Sequence, residues 1–316
     1  MSLMSTIANA KRQHAAGTGR PPTGTRGRGV PHGIVRWALS TPLLVFLAVF
    51  TVFPMFYGLW ISLTDRSILN PNGQFVGFEN FATILSDGDF WQSLWFTVWF
   101  TIVTTLFVLV TGLALAMAMN RRFPGKKLLF TLLLLPIMVA PALMGLMFRL
   151  TLNSDIGLTA RLLSSIGLDI NLFAPDTVTN LLVALEVFQW TPFVFLICYA
   201  GLQGLPAELY EASALDGAGP WRNFSSITLP LMAPVLFTAG FLRGVDALRT
   251  FDVIYVLTGG GPGTMTTTMT IYIYKQAIIE GDFGVGTAAA VLILLIMIPL
   301  VPIIMKRIVV QPGDVK

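Results

Sequence analysis

Charge is what this sequence has least of. Asp, Glu, Lys and Arg make up 11% of its 316 residues, where a soluble domain carries about 25%. A chain so poor in ionic groups cannot present water with a polar surface on every side. Cysteine is nearly absent as well. The single thiol, Cys198, excludes an internal disulfide and a thiolate metal cluster. The two histidines, His14 and His32, precede the first apolar run, which excludes an imidazole-based catalytic or metal site among those runs. No G-x-x-x-x-G-K-[ST] phosphate loop occurs, since Gly125-Lys126 lacks both the earlier glycine and the following hydroxyl. ATP binding by that route is therefore excluded. Nothing assembles a nucleophile, a base or a metal set, so no catalytic residues, no metal ligands and no bound cofactor are expected.

What the chain has in quantity is apolar. Hydrophobic residues are 54% of it, in runs long enough for the roughly 20 helical residues that cross a bilayer. The expected fold is an all-α membrane protein with six transmembrane helices, from apolar blocks at 38–64, 91–119, 128–149, 178–201, 229–258 and 284–305. Residues 1–37 carry Lys11, Arg12, Arg20, Arg26, Arg28 and Arg36 with no acid, and read as a disordered basic cytoplasmic arm. The net charge of +4 sits mostly beside apolar blocks, which fits membrane topology better than a nucleic-acid partner. Arg121, Arg122, Lys126 and Lys127 follow the second block without an acid, and the tail 306–316 opens with Lys306 and Arg307. Segment 65–90, by contrast, sets Asp65, Glu79, Asp87 and Asp89 against Arg66. The positive-inside rule then places both termini in the cytoplasm, as an even number of spans requires. Prolines such as Pro136, Pro141, Pro192 and Pro234 mark places where spans can kink.

One cytoplasmic segment breaks the charge rule. Residues 202–228 hold Glu208, Glu211 and Asp216 against Arg222. Pro206 suits a helix start, and Leu205, Leu209, Ala212 and Leu215 recur at three- and four-residue steps as one apolar stripe. Asp216-Gly217 ends that helix, with Gly217 free to take the left-handed cap conformation. Gly219-Pro220 opens a second short helix carrying Trp221 and Phe224. An interfacial helix pair made for lipid headgroups would carry lysine and arginine; an acidic edge suits a protein partner.

Glu211-Ala212-Ser213-Ala214-Leu215-Asp216-Gly217-Ala218, followed by Phe224, Ile227, Leu229, Pro230 and Pro234, resembles the EAA motif of membrane subunits of binding-protein-dependent ABC importers. The resemblance is to the carbohydrate-uptake branch with the maltose-type permeases. It extends to Trp190, to Ala200-Gly201-Leu202-Gln203, to Ile254 through Gly263, and to Tyr272-Ile273-Tyr274. It implies an ABC importer type I permease fold over 38–305 in a bacterial inner membrane, with a coupling loop at 204–230. Glu208, Glu211, Ala212, Ser213, Asp216 and Gly217 would then couple to an ATPase. Glu211 would pair with a basic group there, Ala212 and Ser213 would allow close packing, and Gly217 would allow the sharp turn. Implied partners are a second homologous permease, two cytoplasmic ATPase subunits that bind ATP and Mg, and an extracytoplasmic substrate-binding (lipo)protein. Gly259–Gly263 would lie on the outer face near that binding protein.

Arg243, Asp246, Arg249 and Asp252 fall in the fifth block at three-residue steps. Each step drifts by about 60° on a helix, so the four cannot share one face. Charged groups at membrane depth are functional candidates. With Glu186, Gln189, Trp190 and Tyr255 they form the expected substrate path, although mutual ion pairing accounts for the charges equally well. The implied cargo is a sugar, a disaccharide such as trehalose or maltose, with polyols and glycerol phosphate esters as alternatives. A gradient-driven secondary transporter is the competing class. It would show an internal repeat of broken helices and no docking loop.

Overall fold

The computed structural model describes residues 32–121, 123–153, 157, 165 and 171–308. Most of the expected arm, Arg122, much of the stretch 150–177 and the end of the tail lie outside these residues. Among the described residues the regular elements are helical, with two isolated β-bridges, Thr64 to Phe75 and Ser67 to Asp282.

The chain divides into two units, Met1–Phe56 and Tyr57–Lys316. Helix α1 (His32–Leu47) reaches back into the expected arm, and a π-type turn Ala48–Val52 leads on to α2 (Phe53–Ile61), within which the division between the units falls. The apolar stretch Leu39–Ile61 is 23 residues long, enough at about 1.5 Å per residue to cross the hydrocarbon layer. Phe46, Phe50 and Phe53 on it are exposed, as a surface facing lipid or another apolar surface would be.

The second unit is built on long helices. Helix α3 (Glu79–Ser86) leads into α4 (Gly88–Asn120), which pairs with α7 (Val178–Gln203). Between them come α5 (Lys126–Met138) and α6 (Pro141–Thr151). Then follow α8 (Ala207–Leu215), α9 (Pro220–Asn223), α10 (Leu229–Leu248), α11 (Asp252–Thr258), α12 (Met269–Tyr274) and α13 (Phe283–Ile308). Among the described residues, four helical runs are long and apolar enough to cross a membrane: Leu39–Ile61, Gly88–Asn120, Val178–Gln203 and Pro220–Leu248. The α5–α6 pair makes a fifth if it counts as one span. The block expected at 284–305 falls within α13, which is apolar over Phe283–Ile298.

Two expected blocks are broken. The run 128–149 bends by 95° between α5 and α6. Proline disfavours the α conformation in the residue before it, and here Val139 and Ala140 are extended, with ψ of 131° and 136°, ahead of Pro141. The run 229–258 stops at Leu248 and restarts at Asp252, whose carboxylate lies in the positive first turn of α11.

Where helices stay straight they pack closely. A Cβ on Gly112 of α4 would meet Val194 Cγ1 at 2.8 Å and Phe195 N at 3.0 Å on α7. The cluster around this contact includes Val108, Ala116, Cys198 and Met232, all buried. Near the ends of α11 and α12, the buried Thr266, Thr267 and Thr268 supply the partners that a buried loop needs. Thr266 Oγ1 donates to Gly261 O at 2.7 Å and Thr267 Oγ1 to Gly260 O at 3.0 Å. Tyr272 donates to Asp87 Oδ2 at 2.6 Å; burial, then that bond and the Asp87 charge, push its phenol up and keep the proton on it.

Gly112→Leu should therefore lower the thermal unfolding temperature of the protein in detergent, by an overpacking cost of about 1–3 kcal/mol. Gly244→Ala, where nothing lies within 4 Å of the added carbon, should not lower it.

Candidate functional site

The two breaks and helix α7 meet at a cluster of charges. Arg243, on α10, is fully buried. Its Nη2 donates to Glu186 Oε1 of α7 at 2.5 Å and its Nη1 to Asp246 Oδ2 at 3.3 Å. Its guanidinium carbon lies 4.9 Å from the centroid of Trp190, one turn along α7 from Glu186. Asp246 also accepts from Arg249 Nη2 at 3.1 Å, and Thr250 Oγ1 donates to Glu186 Oε1 at 3.4 Å. The ladder therefore runs Glu186, Arg243, Asp246, Arg249, from fully buried to largely exposed: the Arg249 side chain is 75% accessible. Isolated charges cannot be held in a dry interior, whereas alternating ones can.

A cavity of about 270 Å³ opens beside this ladder, lined by Glu186, Trp190, Asp246, Arg249, Thr250 and Asp252 among others. Five of the eight residues expected along a substrate path thus line one space. Of the other three, Arg243 lies behind it as the buried counter-ion. Gln189 turns elsewhere and donates through Nε2 to Val139 O at 3.1 Å, closing the bend between α5 and α6. Tyr255 sits with Phe251 and Tyr274 in an aromatic trio with centroids 4.9–5.2 Å apart. It borders a separate cleft with Arg149, Lys275 and Glu280. The uniform spiral expected for 243–252 is not formed, because α10 ends before Arg249 and Asp252 opens the next helix.

The expected docking helix is α8. Gly217 has φ of +72°. Gly217 N donates to Ala214 O at 3.1 Å and Ala218 N to Ser213 O at 3.0 Å, the paired bonds of a Schellman cap. The apolar stripe does not turn inward: Leu209 is 42% and Leu215 90% exposed, and Ala212 is exposed with them. Glu208, Glu211 and Asp216 are exposed too. The inward residues are Tyr210 and Ser213. Tyr210 Oη and Thr228 Oγ1 are 3.0 Å apart, and Ser213 Oγ donates to Asn223 Oδ1. Thr228 is itself buried in the π-type turn Phe224–Thr228 that joins α9 to α10.

Several participants lie outside the expected set: Thr250, Asn223, Tyr210, Thr228 and Arg149. Thr250 had a signal, since it stands between two charged candidates. The others are partners across the chain, as where Arg149 Nη1 reaches Val256 O at 3.0 Å.

Glu186→Ala would leave Arg243 buried without its nearest counter-charge. Losing one partner of a buried pair costs about 3–5 kcal/mol, so the variant should unfold at clearly lower temperature or fail to accumulate in membranes. Adding Arg243→Met should recover much of the loss, as read by thermal unfolding of the two variants side by side.

Residues 109–311 match the family model described as binding-protein-dependent transport system inner membrane component. The chain is 38% identical over 272 residues to the trehalose/maltose transport system permease protein MalF of Thermococcus litoralis, covering 85% of this chain and 92% of that one. It is 33% identical over 256 residues to the trehalose transport system permease protein SugA of Mycobacterium tuberculosis, covering 81% and 82%. The sn-glycerol-3-phosphate transport system permease protein UgpA of Escherichia coli is 33% identical over 270 residues, covering 84% and 92%. Among solved structures, a chain of a bacterial ABC transporter that imports the acidic polysaccharide alginate aligns with a TM-score of 0.77 at 22% identity, over 88% of this chain and 96% of that one. The chain belongs to the family of inner membrane components of binding-protein-dependent transport systems: it is a multi-pass permease subunit of such a transporter, and not an enzyme.

Proposed function

We propose that this permease carries a neutral sugar, of disaccharide size, by alternating access driven by ATP hydrolysis on two partner subunits. The observation that carries this reading is the cavity at the break in the fifth block. It presents an indole ring, a hydroxyl and carboxylates side by side, the groups that suit the apolar face and the hydroxyls of a sugar. Its charges are three carboxylates, Glu186, Asp246 and Asp252, against two guanidinium groups, Arg243 and Arg249. The ladder neutralises both arginines and leaves one acid over, which disfavours an anion. Trehalose and maltose, carried by relatives, fit this chemistry better than the glycerol phosphate of another relative. Polyols fit the charge but ask less of the indole.

At about 270 Å³ the cavity is smaller than the roughly 300–1,000 Å³ of common ligand pockets. A second homologous permease would supply the facing wall. The exposed acids and apolar stripe of α8 would dock in a cleft of the ATPase, with Glu211 against a basic group and Ala212 and Leu215 against its walls. An extracytoplasmic binding protein would deliver solute at the other face. In this topology six spans cross the membrane, with both termini and the 204–230 coupling loop in the cytoplasm. A gradient-driven secondary transporter would need neither that exposed acidic helix nor a place in this family.

Uptake by membranes holding the full complex should be seen with labelled neutral disaccharides and not with sn-glycerol 3-phosphate. Preferential uptake of the anion would sink the charge argument. Glu211→Arg should leave the subunit inserted while abolishing solute-stimulated ATP hydrolysis, and unchanged stimulation would remove α8 from the coupling role.

A further inference from the structure

Helix α8 is held in an unusual way for an element expected to bear force. No side chain on it is buried, so it has no apolar anchor of its own. Its C-terminal connection runs through Gly217 at φ +72° and then Ala218-Gly219, a turn with few side chains to stiffen it. The second half of the loop is anchored differently. Phe224 packs on the buried cluster of α4, α7 and α10, Thr228 is buried, and the chain runs without a break from Pro220 to Leu248, past Arg243 and Asp246. Between the loose half and the anchored half stand two hydroxyl contacts. Ser213 Oγ donates to Asn223 Oδ1, and Tyr210 Oη meets Thr228 Oγ1 at 3.0 Å. Tyr210 and Ser213 are three residues apart and so share one face of α8, the face turned away from Glu208, Glu211 and Leu215.

We infer that this pair of hydroxyl contacts is a clasp that makes the coupling loop one rigid body, with Ser213 and Tyr210 as positioning residues for force transmission. The inference rests on the proposed docking role of α8. A displacement imposed on the outer face of α8 passes through the clasp to Asn223 and Thr228, and from there along α10 to the charge ladder. With the clasp open, the same displacement is absorbed by rotation at Gly217, and the motor turns over without moving the spans. The side chain at 213 therefore does more than permit close packing: its oxygen carries a specific bond.

The test is the number of solute molecules taken up per ATP hydrolysed by the reconstituted complex. One hydrogen bond shifts an open–closed equilibrium by about three- to tenfold. Ser213→Ala should lower the ratio by that factor, and Ser213→Thr, which keeps the hydroxyl, should restore most of it. Tyr210→Phe removes one oxygen only and should lower the ratio independently, which guards against misassembly of the first variant. Asn223→Ala added to Ser213→Ala should cause no further fall. An unchanged ratio in Ser213→Ala and Tyr210→Phe would overturn the clasp, and so would equal losses in Ser213→Ala and Ser213→Thr. Glu211→Arg in the same membranes separates the two levels. If it leaves stimulated hydrolysis intact, the docking role itself falls; if it abolishes it while the ratio in the Ser213 variants holds, only the clasp falls.

Discussion

A chain inside lipid has no water to receive the amides and carbonyls that a broken helix sets free, so each break must be repaired by the protein itself. The second unit is organised around two such repairs. At the bend between α5 and α6, Gln189 reaches across from α7 to the carbonyl of Val139. At the interruption after α10, the Thr250 carbonyl receives the hydroxyls of Thr268 at 3.0 Å and Thr270 at 2.8 Å. Both repairs use side chains from distant segments and thereby fix how those segments sit. The cavity follows from them: Pro141 at the first break and Thr250 to Val253 at the second are among its walls. A pair of straight helices would have closed over the same space.

The repairs also explain why charge can be kept at this depth. Arg243 has no exposed surface, yet its guanidinium has a carboxylate on each of two nitrogens and an indole against its face. The alternation of sign along Glu186, Arg243, Asp246 and Arg249 means that no member stands alone. Removing one member of such a ladder would leave its neighbour buried without a counter-charge, which is the costly outcome.

Much of this was readable from residue order alone. The apolar blocks gave the helices, Gly217 announced its left-handed cap, and the intramembrane charges pointed to the place where a cavity lies. What escaped were relations set by contact across the chain. Proline at 141 marks a kink, but nothing local says that Gln189 will close it and so be drawn away from the cavity. Three-residue spacing from Arg243 to Asp252 describes one helix, and the hydroxyls at Thr268 and Thr270 that permit an interruption lie well beyond that window. The period of the stripe Leu209, Ala212, Leu215 marks one helix face but does not say which way that face turns. Its real direction is set by Tyr210 and Ser213, whose partners Thr228 and Asn223 belong to the following segment.

The outward face of that stripe bears on how the loop would work. A helix that buried its leucines against the spans would be stiff by itself and would have little apolar surface to offer a partner. Helix α8 does the opposite, leaving Leu209 and Leu215 exposed beside its acids. Apolar surface of this kind is costly in water and becomes favourable once a partner covers it. On the proposed docking role, the loop would rely on the motor for its apolar burial and on hydroxyl contacts for its internal order. Those contacts are directional, modest in strength and easily counted, and they join the exposed helix to the same α10 that carries Arg243. On that reading, the path from docking surface through α10 crosses Gly217, and the two bonds that span it would decide whether that path transmits motion or dissipates it.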